Sequence, residues 1–169
     1  NRTVTTNSKG QTITLEKKYP NDFSGTTIYN HMIARNMINN EVESTSKNNG
    51  NITGGQKILY KWYNSNTQIL TEGMNRYNRI SQTYEPALRI NHYDAAGNIL
   101  EQQKVNDIAS SYLWAYNNSF PVSETHNADY GSIAYSSFEA GETGNWDYSY
   151  GGINTSYQGI TGKKAFALS

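Results

Sequence analysis

Few side chains in this sequence have the types and spacing that chemistry requires, and the clearest set is aromatic. Trp146, Tyr148 and Tyr150 occupy alternate positions, so on a strand their rings would stand on one face. Such a row can stack against sugar rings while nearby Asn and Asp side chains bind the hydroxyl groups. The row therefore predicts a carbohydrate-binding surface. We favour a structural interpretation, in which these rings cover a thin core and keep their hydroxyl groups in water.

The other polar residues form no recognisable reaction centre. His31, His92 and His126 lack the short spacing of a zinc site, and the chain has no cysteine, so we predict neither a metal site nor a cofactor. A Ser, His and Asp triad has no nucleophile elbow or oxyanion loop to support it.

Scattered carboxylates likewise single out no acid and base pair. A glycosidase needs two carboxyl groups at a defined separation, which the sequence cannot supply for the residues available: Glu101, Asp107, Glu124, Asp129, Glu139 and Glu142. We predict that the protein is not an enzyme and has no catalytic residues, and a glycosidase or peptidase ranks last among the functions considered.

The elements that would position these groups are strands, and the chain is organised around residues 88–124. Short segments rich in β-branched and aromatic residues alternate there with turn residues such as Asp94, Gly97 and Asn98. Residues 112–116 form the most aromatic run of the protein. The pattern predicts a mainly β fold, built as a meander of antiparallel hairpins.

The preceding residues predict two further hairpins and one helix. In residues 1–19, Val4, Ile13 and Leu15 can share one face of a hairpin at a period of two. Asn49 and Gly50 form the strongest short hairpin signal, because both tolerate the positive φ of a type I′ turn.

Helical spacing of apolar residues predicts one short helix near residues 26–37. Its apolar positions are Ile28, Met32 and Ile33, and Ser24 or Thr26 is available as its cap.

A family resemblance follows from the central motif. Tyr93, Asp94, Gly97 and the apolar pair Ile99 and Leu100 stand in the order of a YD repeat. The segment resembles the YD-repeat or RHS-repeat proteins, and in particular large secreted proteins of the Bacteroidota. The resemblance implies a ribbon of β-hairpins that coils into a shell, with Tyr93, Asp94 and Gly97 as repeat-motif residues. The sequence lacks the Asp-Pro-x-Gly self-cleavage motif of RHS toxins, so toxin encapsulation is not carried over.

The last forty residues differ in character and suggest a second region. We predict a strand from Ile133 to Glu139, followed by a Gly-rich aromatic stretch and one or two more strands. Ser137, Phe138 and Glu139, with Trp146 beyond them, are similar to the start of a galactose-binding-like β-sandwich, which implies sugar binding and calcium near Glu139. The predicted division is a YD/RHS-repeat-like region at 1–130 and a strand segment at 131–169.

Composition limits the partners. The 169 residues carry 14 basic and 14 acidic side chains, so no net charge attracts nucleic acid, and no apolar run approaches the length of a membrane span. We expect an interior piece of a longer, secreted or cell-surface protein that acts as a structural shell wall or spacer. Its expected partners are neighbouring repeats, a second copy of itself or, on the alternative interpretation as a carbohydrate-binding module, a glycan.

Overall fold

Nine strands form one antiparallel sheet in which each strand lies beside the strand that precedes it in the chain. The computed structural model describes residues 1–23, 25–147, 149, 151–156 and 162–168. The strands of this sheet are β1 (Arg2–Thr6), β2 (Thr12–Lys18), β3 (Glu43–Asn48), β4 (Asn51–Tyr63), β5 (Gln68–Asn78), β6 (Thr83–Tyr93), β7 (Ile99–Lys104), β8 (Ala109–Ala115) and β9 (Phe120–His126). The prediction of a mainly β meander is confirmed.

The predicted short helix is present as α1 (Thr27–Ala34) and ends earlier than its apolar spacing indicated. Thr26 is its N-cap residue but makes no hydrogen bond through its side chain, and Ser24 lies outside the described residues. Asn36 adopts a φ of 60°, and the N–H groups of Asn36 and Met37 donate to the carbonyls of Ile33 and Met32. This is a Schellman ending, in which one left-handed residue closes the helix.

Left-handed residues also make the tight turns of the meander. Asn49 and Gly50 join β3 to β4 with φ angles of 48° and 86°, which confirms the predicted hairpin. Residues 64–66 and residues 116–118 each place three successive residues at positive φ. In both turns, an N–H returns to the carbonyl four residues earlier, from Thr67 to Tyr63 and from Ser119 to Ala115. Asn fills most of these positions because it tolerates this conformation better than other side chains do.

Four hairpins carry one extra residue on their second strand. The register skips Thr53 in β4, Glu72 in β5, Ala87 in β6 and Val122 in β9. Each skip is a β-bulge, which bends the strand and increases its right-handed twist. These four strands are therefore bent locally at their bulges.

The chain divides into two compact units, Asn1–Ile90 and Asn91–Ser169. In the first unit, α1 packs against β4: the ring of His31 lies 5.3 Å from that of Trp62, and the Arg35 guanidinium lies 4.8 Å from the same ring. Met32 and Ile69 are buried in this unit. The helix thus covers the end of the longest strand.

In the first hairpin, the apolar side chains do not share one face as their spacing predicted. Val4 lies opposite Thr14, whereas Ile13 and Leu15 lie opposite Thr5 and Thr3. Directly paired residues share a face, so Val4 points away from Ile13 and Leu15, and the prediction that the three share a face is wrong. Thr14 is the buried residue, with 5% of its surface exposed.

In the second unit, the chain after β9 folds back over the sheet instead of forming the predicted strand at residues 133–139. A 3₁₀ turn at Tyr130–Ser132 is followed by irregular chain. The Asn145 amide donates to the Ile133 carbonyl at 3.0 Å and the Tyr135 N–H to the Gly144 carbonyl at 2.9 Å. These local bonds replace a strand ladder, and Ile133 is buried.

Two more strands follow, β10 (Gly151–Asn154) and β11 (Ala165–Leu168), which pair with each other antiparallel. Phe166 of β11 stacks on Phe138, with ring centroids 5.6 Å apart. The predicted division of the chain at residues 130 and 131 stays a prediction.

Candidate functional site

The repeat-motif residues form the turn between β6 and β7. The Asp94 N–H donates to the Asn98 carbonyl at 3.0 Å, and the Gly97 N–H donates to the Asp94 carbonyl at 3.2 Å. Gly97 has a φ of 93°, a conformation that side chains disfavour. Tyr93 is the last residue of β6. Asp94 and Gly97 thus serve the backbone of the turn.

The same turn occurs between β1 and β2. There the Asn7 N–H donates to the Gln11 carbonyl and the Gly10 N–H to the Asn7 carbonyl, both at 3.0 Å. In each turn, the side-chain oxygen of the first residue accepts the N–H of the fifth: from Gln11 to Asn7 at 3.0 Å, and from Asn98 to Asp94 at 2.8 Å. An Asx side chain followed three residues later by a left-handed glycine defines both turns.

Of the predicted aromatic row, the structure describes Trp146. Trp146 is 52% exposed. Its backbone N–H donates to the Thr143 carbonyl at 3.1 Å, and this part of the chain does not form a strand. Tyr148 and Tyr150 lie outside the described residues. Their position beside Trp146 therefore stays a prediction.

Glu139, which the resemblance places near calcium, binds the chain that leads into β11. One of its carboxylate oxygens accepts the N–H groups of Lys163 and Lys164, both at 2.8 Å. The Lys164 ammonium binds the Glu139 carbonyl at 2.6 Å. Among the residues the structure describes, no three His, Cys, Asp or Glu side chains are placed to hold a metal ion.

Glu101 is a buried carboxylate at the floor of a polar cleft of about 570 Å³. Only 6% of its surface is exposed. It accepts the Asn91 amide at 2.7 Å and the Tyr130 N–H at 2.9 Å. Burial, the largest influence, raises the pKa of Glu101, but these two hydrogen bonds and the charge of His92 outweigh it and leave the pKa below its ordinary value.

The cleft beside Glu101 is lined by two more carboxylates, Asp107 and Asp129. Glu101 accepts the Tyr130 N–H, and this hydrogen bond anchors the chain that folds back after β9. Its charge therefore stabilises the fold. Ser111 lies opposite Glu101 in the register and holds the same returning chain, since its hydroxyl donates to the Ala128 carbonyl at 2.7 Å.

A second cleft, of about 510 Å³, lies on the opposite face of β8 and β9. Its lining comprises Tyr112, Trp114, Pro121, Val122, Ser123 and Glu124, and we call it the β8–β9 cleft. Sequence analysis missed it. The alternation of Tyr112, Trp114 and Tyr116 was a signal that could have revealed it, since it has the same period as the row at residues 146–150.

A Ser, His and acid row borders this cleft. The Ser110 hydroxyl lies 2.9 Å from the His126 Nδ1, and the His126 Nε2 lies 3.9 Å from a Glu124 oxygen. Ser110 and His126 are directly opposite in the register, as are Tyr112 and Glu124. The row lies on an open sheet face, where the His126 and Glu124 side chains are both exposed. This is the geometry of polar cross-strand pairs.

Comparisons with family models, with curated proteins and with solved structures give no significant match to this chain. Within the described part of the chain, no helix combines the length and apolar character needed to cross a membrane. The resemblance carried by Tyr93, Asp94 and Gly97 stays a prediction.

Proposed function

We propose that this chain is a non-catalytic structural and interaction segment, a shell wall or spacer, of a secreted or cell-surface protein of YD-repeat type. The observation that carries the proposal is the strand order, in which nine strands pair in the sequence in which they are synthesised. A ribbon of successive hairpins is the architecture that the YD-repeat resemblance implies. The four bulges supply the curvature that a coiled wall requires.

Recurrence of turn types supports a repeat origin. The Asx turn with a left-handed glycine is used at residues 7–11 and again at 94–98. The triple left-handed turn is used at 64–66 and again at 116–118. In both cases, one copy lies in each compact unit. Two turn types shared in the same order are the pattern that a diverged repeat would leave.

The terminal strands of the sheet offer the surface through which such a segment would interact. All five residues of β1 are exposed. The Asn1 amine and carbonyl both bond Lys17, so the alternation of an antiparallel ladder turns the backbone groups of Arg2, Val4 and Thr6 away from β2. These outward groups can pair with a strand of a neighbouring repeat or a second copy.

Sedimentation velocity over a range of protein concentrations tests the interaction. We expect association that weakens with Val4→Pro, because proline removes an outward N–H and leaves the β1–β2 bonds intact. Val4→Thr, which keeps the N–H, is the matched control. A wild-type chain that stays monomeric throughout, or one whose association ignores Val4→Pro, would contradict an edge-to-edge interaction.

Membership in a longer array is tested on the native polypeptide. Its intact mass and its sequence on both sides of residues 1 and 169 should reveal further Tyr-Asp repeats with the same turn spacing. A native polypeptide without such repeats would overturn the shell-wall interpretation while leaving the edge experiment unaffected.

Carbohydrate binding is the second candidate function, favoured by the exposed aromatic side chain of Trp146. On this proposal Trp146, together with Tyr148 and Tyr150, stacks against a glycan. Loss of glycan-array binding in Trp146→Ala would support this assignment, and undiminished binding would remove Trp146 from it.

A further inference from the structure

The β8–β9 cleft has the construction of a small-ligand site. Ser111, Leu113 and Ala115 turn to the buried face of β8, so Tyr112 and Trp114 between them point to the other face. The cleft is open to solvent and offers about 510 Å³ beside these two rings. Its two aromatic rings are half-buried, which leaves part of each ring accessible to a bound molecule.

Both rings are held in place by hydrogen bonds. The Trp114 indole N–H donates to the Ile99 carbonyl at 2.9 Å. The Tyr112 hydroxyl accepts the Gln102 amide at 2.8 Å and donates to a Glu124 oxygen at 3.2 Å. A ligand would therefore meet rings that are already oriented, and little side-chain freedom would be lost on binding.

The bulge at Val122 shapes the cleft. Trp114 pairs with Pro121 and Leu113 with Ser123, so Val122 is the extra residue of β9. The bulge bends β9 beside Trp114, and Pro121 offers no N–H to a further strand. Bulges of this kind are common next to binding sites because they re-aim side chains.

We propose that the β8–β9 cleft binds a neutral glycan, with Tyr112 and Trp114 stacking on sugar rings and Glu124, paired with Tyr112 on the same face, accepting hydrogen bonds from hydroxyl groups. The inference rests on the second candidate function and moves its site away from Trp146. Glu124 is the single charged residue in the lining, so an acidic polysaccharide would meet like charge without a compensating cation. A neutral sugar offers an apolar ring face to the aromatics and hydroxyl donors to the carboxylate.

The spacing of the two rings indicates an oligosaccharide. Residues two apart on a strand are separated by about 7 Å, so the rings of Tyr112 and Trp114 lie under successive sugars and not under one. The polar row of Ser110 and His126 continues from Tyr112 along the same face. A longer chain could therefore extend toward His126.

Tryptophan fluorescence with soluble glucan, galactan and mannan as probes tests the proposal. The chain has three tryptophans, so a titration of wild type and of Trp114→Phe shows whether Trp114 reports binding. We expect Trp114→Ala to weaken binding about tenfold or more, since a stacking ring and its apolar contact are both lost. Tyr112→Phe and Glu124→Gln each remove one polar group and should weaken binding about 2- to 10-fold.

Phe120, an exposed aromatic residue outside the cleft lining, supplies the control. Phe120→Ala should bind like wild type. Circular dichroism establishes that each variant is folded, and Tyr112→Phe with Glu124→Gln keeps the test decisive if Trp114→Ala does not fold.

Three results would overturn the proposal. These are binding to none of the three neutral polysaccharides, binding to polygalacturonate in preference to them, and binding that folded Tyr112→Phe and Glu124→Gln leave unchanged. Loss of binding in Trp146→Ala alone would return the site to the C-terminal aromatic residues and support the second candidate function without this inference.

Discussion

Asp94 binds Asn98 twice across one turn, with the Asn98 N–H at 2.8 Å from one carboxylate oxygen and the Asn98 side-chain amide at 2.9 Å from the other. In the first turn, the Gln11 N–H donates to the Asn7 side-chain oxygen at 3.0 Å, and the Asn7 side-chain amide donates to the Gln11 Oε1 at 2.8 Å. An aspartate in one turn and an asparagine in the other thus accept the same backbone hydrogen bond. What both turns require is a side-chain oxygen three bonds from the α-carbon, which Asp and Asn share.

Replacement of Asp94 tests this equivalence. Asp94→Ala removes both side-chain bonds and should lower the free energy of unfolding by about 1–2 kcal/mol. Asp94→Asn, which restores the side chain found at Asn7, should cost less than half as much. Urea denaturation measures both, and equal losses in the two variants would show that the charge, and not the acceptor oxygen, is what the turn needs.

Glu101 gives the fold a dependence on acid. Because its pKa is lowered in the folded protein, its contribution to stability is full above the unfolded value of about 4.3 and is lost as pH falls through the folded pKa. Glu101→Gln should destabilise the protein by about 1–3 kcal/mol at neutral pH, since the Tyr130 N–H and the Asn91 amide lose a charged acceptor.

Urea denaturation from pH 7 to pH 3 measures the effect of Glu101→Gln. The difference in unfolding free energy between wild type and Glu101→Gln should shrink toward acidic pH, because the wild-type carboxylate is then protonated and also lacks its charge. Glu72→Gln, at a surface ion pair 3.6 Å from Lys61, is the control and should change stability little. A deficit that stays constant with pH would contradict the role of the charge.

Gly73 is irreplaceable for a steric reason that Gly54 does not share. A Cβ at Gly73 would collide with the Leu88 carbonyl on the neighbouring strand, whereas a Cβ at Gly54 would meet nothing within 4 Å. Gly73→Ala should destabilise the protein by about 1–3 kcal/mol, and Gly54→Ala should be neutral or slightly stabilising. Thermal unfolding followed by circular dichroism compares the two, and similar melting temperatures would contradict the steric argument.

Asn36 ends α1 through its left-handed backbone. Asn36→Gly should keep or slightly raise the stability, because glycine adopts this conformation freely. Asn36→Ala should lower the free energy of unfolding by about 1 kcal/mol. Urea denaturation of the pair gives the difference, and an alanine variant as stable as the glycine variant would show that the helix can end elsewhere.

The sequence was sufficient for the strand content and for the turns at residues 49–50 and 94–97, but not for the turn at residues 64–66. Asn49 and Gly50 determine their hairpin locally, because positive φ is a property of those two residues and needs no tertiary partner. The same locality makes Asp94 and Gly97 readable as a turn.

The face of the sheet on which each side chain lies was harder to predict, as Val4, Ile13 and Leu15 show. Their apolar spacing was compatible with one shared face, but the register fixed by the Asn7 turn places Val4 on the other. A shift of one residue reverses every side chain of a strand, so periodicity alone cannot decide the face of a largely exposed hairpin.

The irregular chain beyond β9 was predicted as a strand because Ile133 and its neighbours have β-forming side chains. Tertiary hydrogen bonds decided otherwise: Asn145 and Gly144 satisfy the backbone of Ile133 and Tyr135 from a distance in sequence that no local pattern reveals. The β8–β9 cleft was not predicted, because the alternation of Tyr112, Trp114 and Tyr116 does not by itself show which face of the strand stays open.

The strand order has a mechanical consequence. The strands of this sheet are neighbours in both sequence and space. When such a sheet is pulled at its two ends, the strands separate one after another, because the load falls on one row of hydrogen bonds at a time. Strand β1 should detach first and at low force, whereas β9 should resist longer because the chain after it is bonded to Glu101 and Ser111. Each released hairpin should lengthen the chain before the next one yields. Such a ribbon would extend in steps under tension, dissipate the tension gradually, and refold from its local turns.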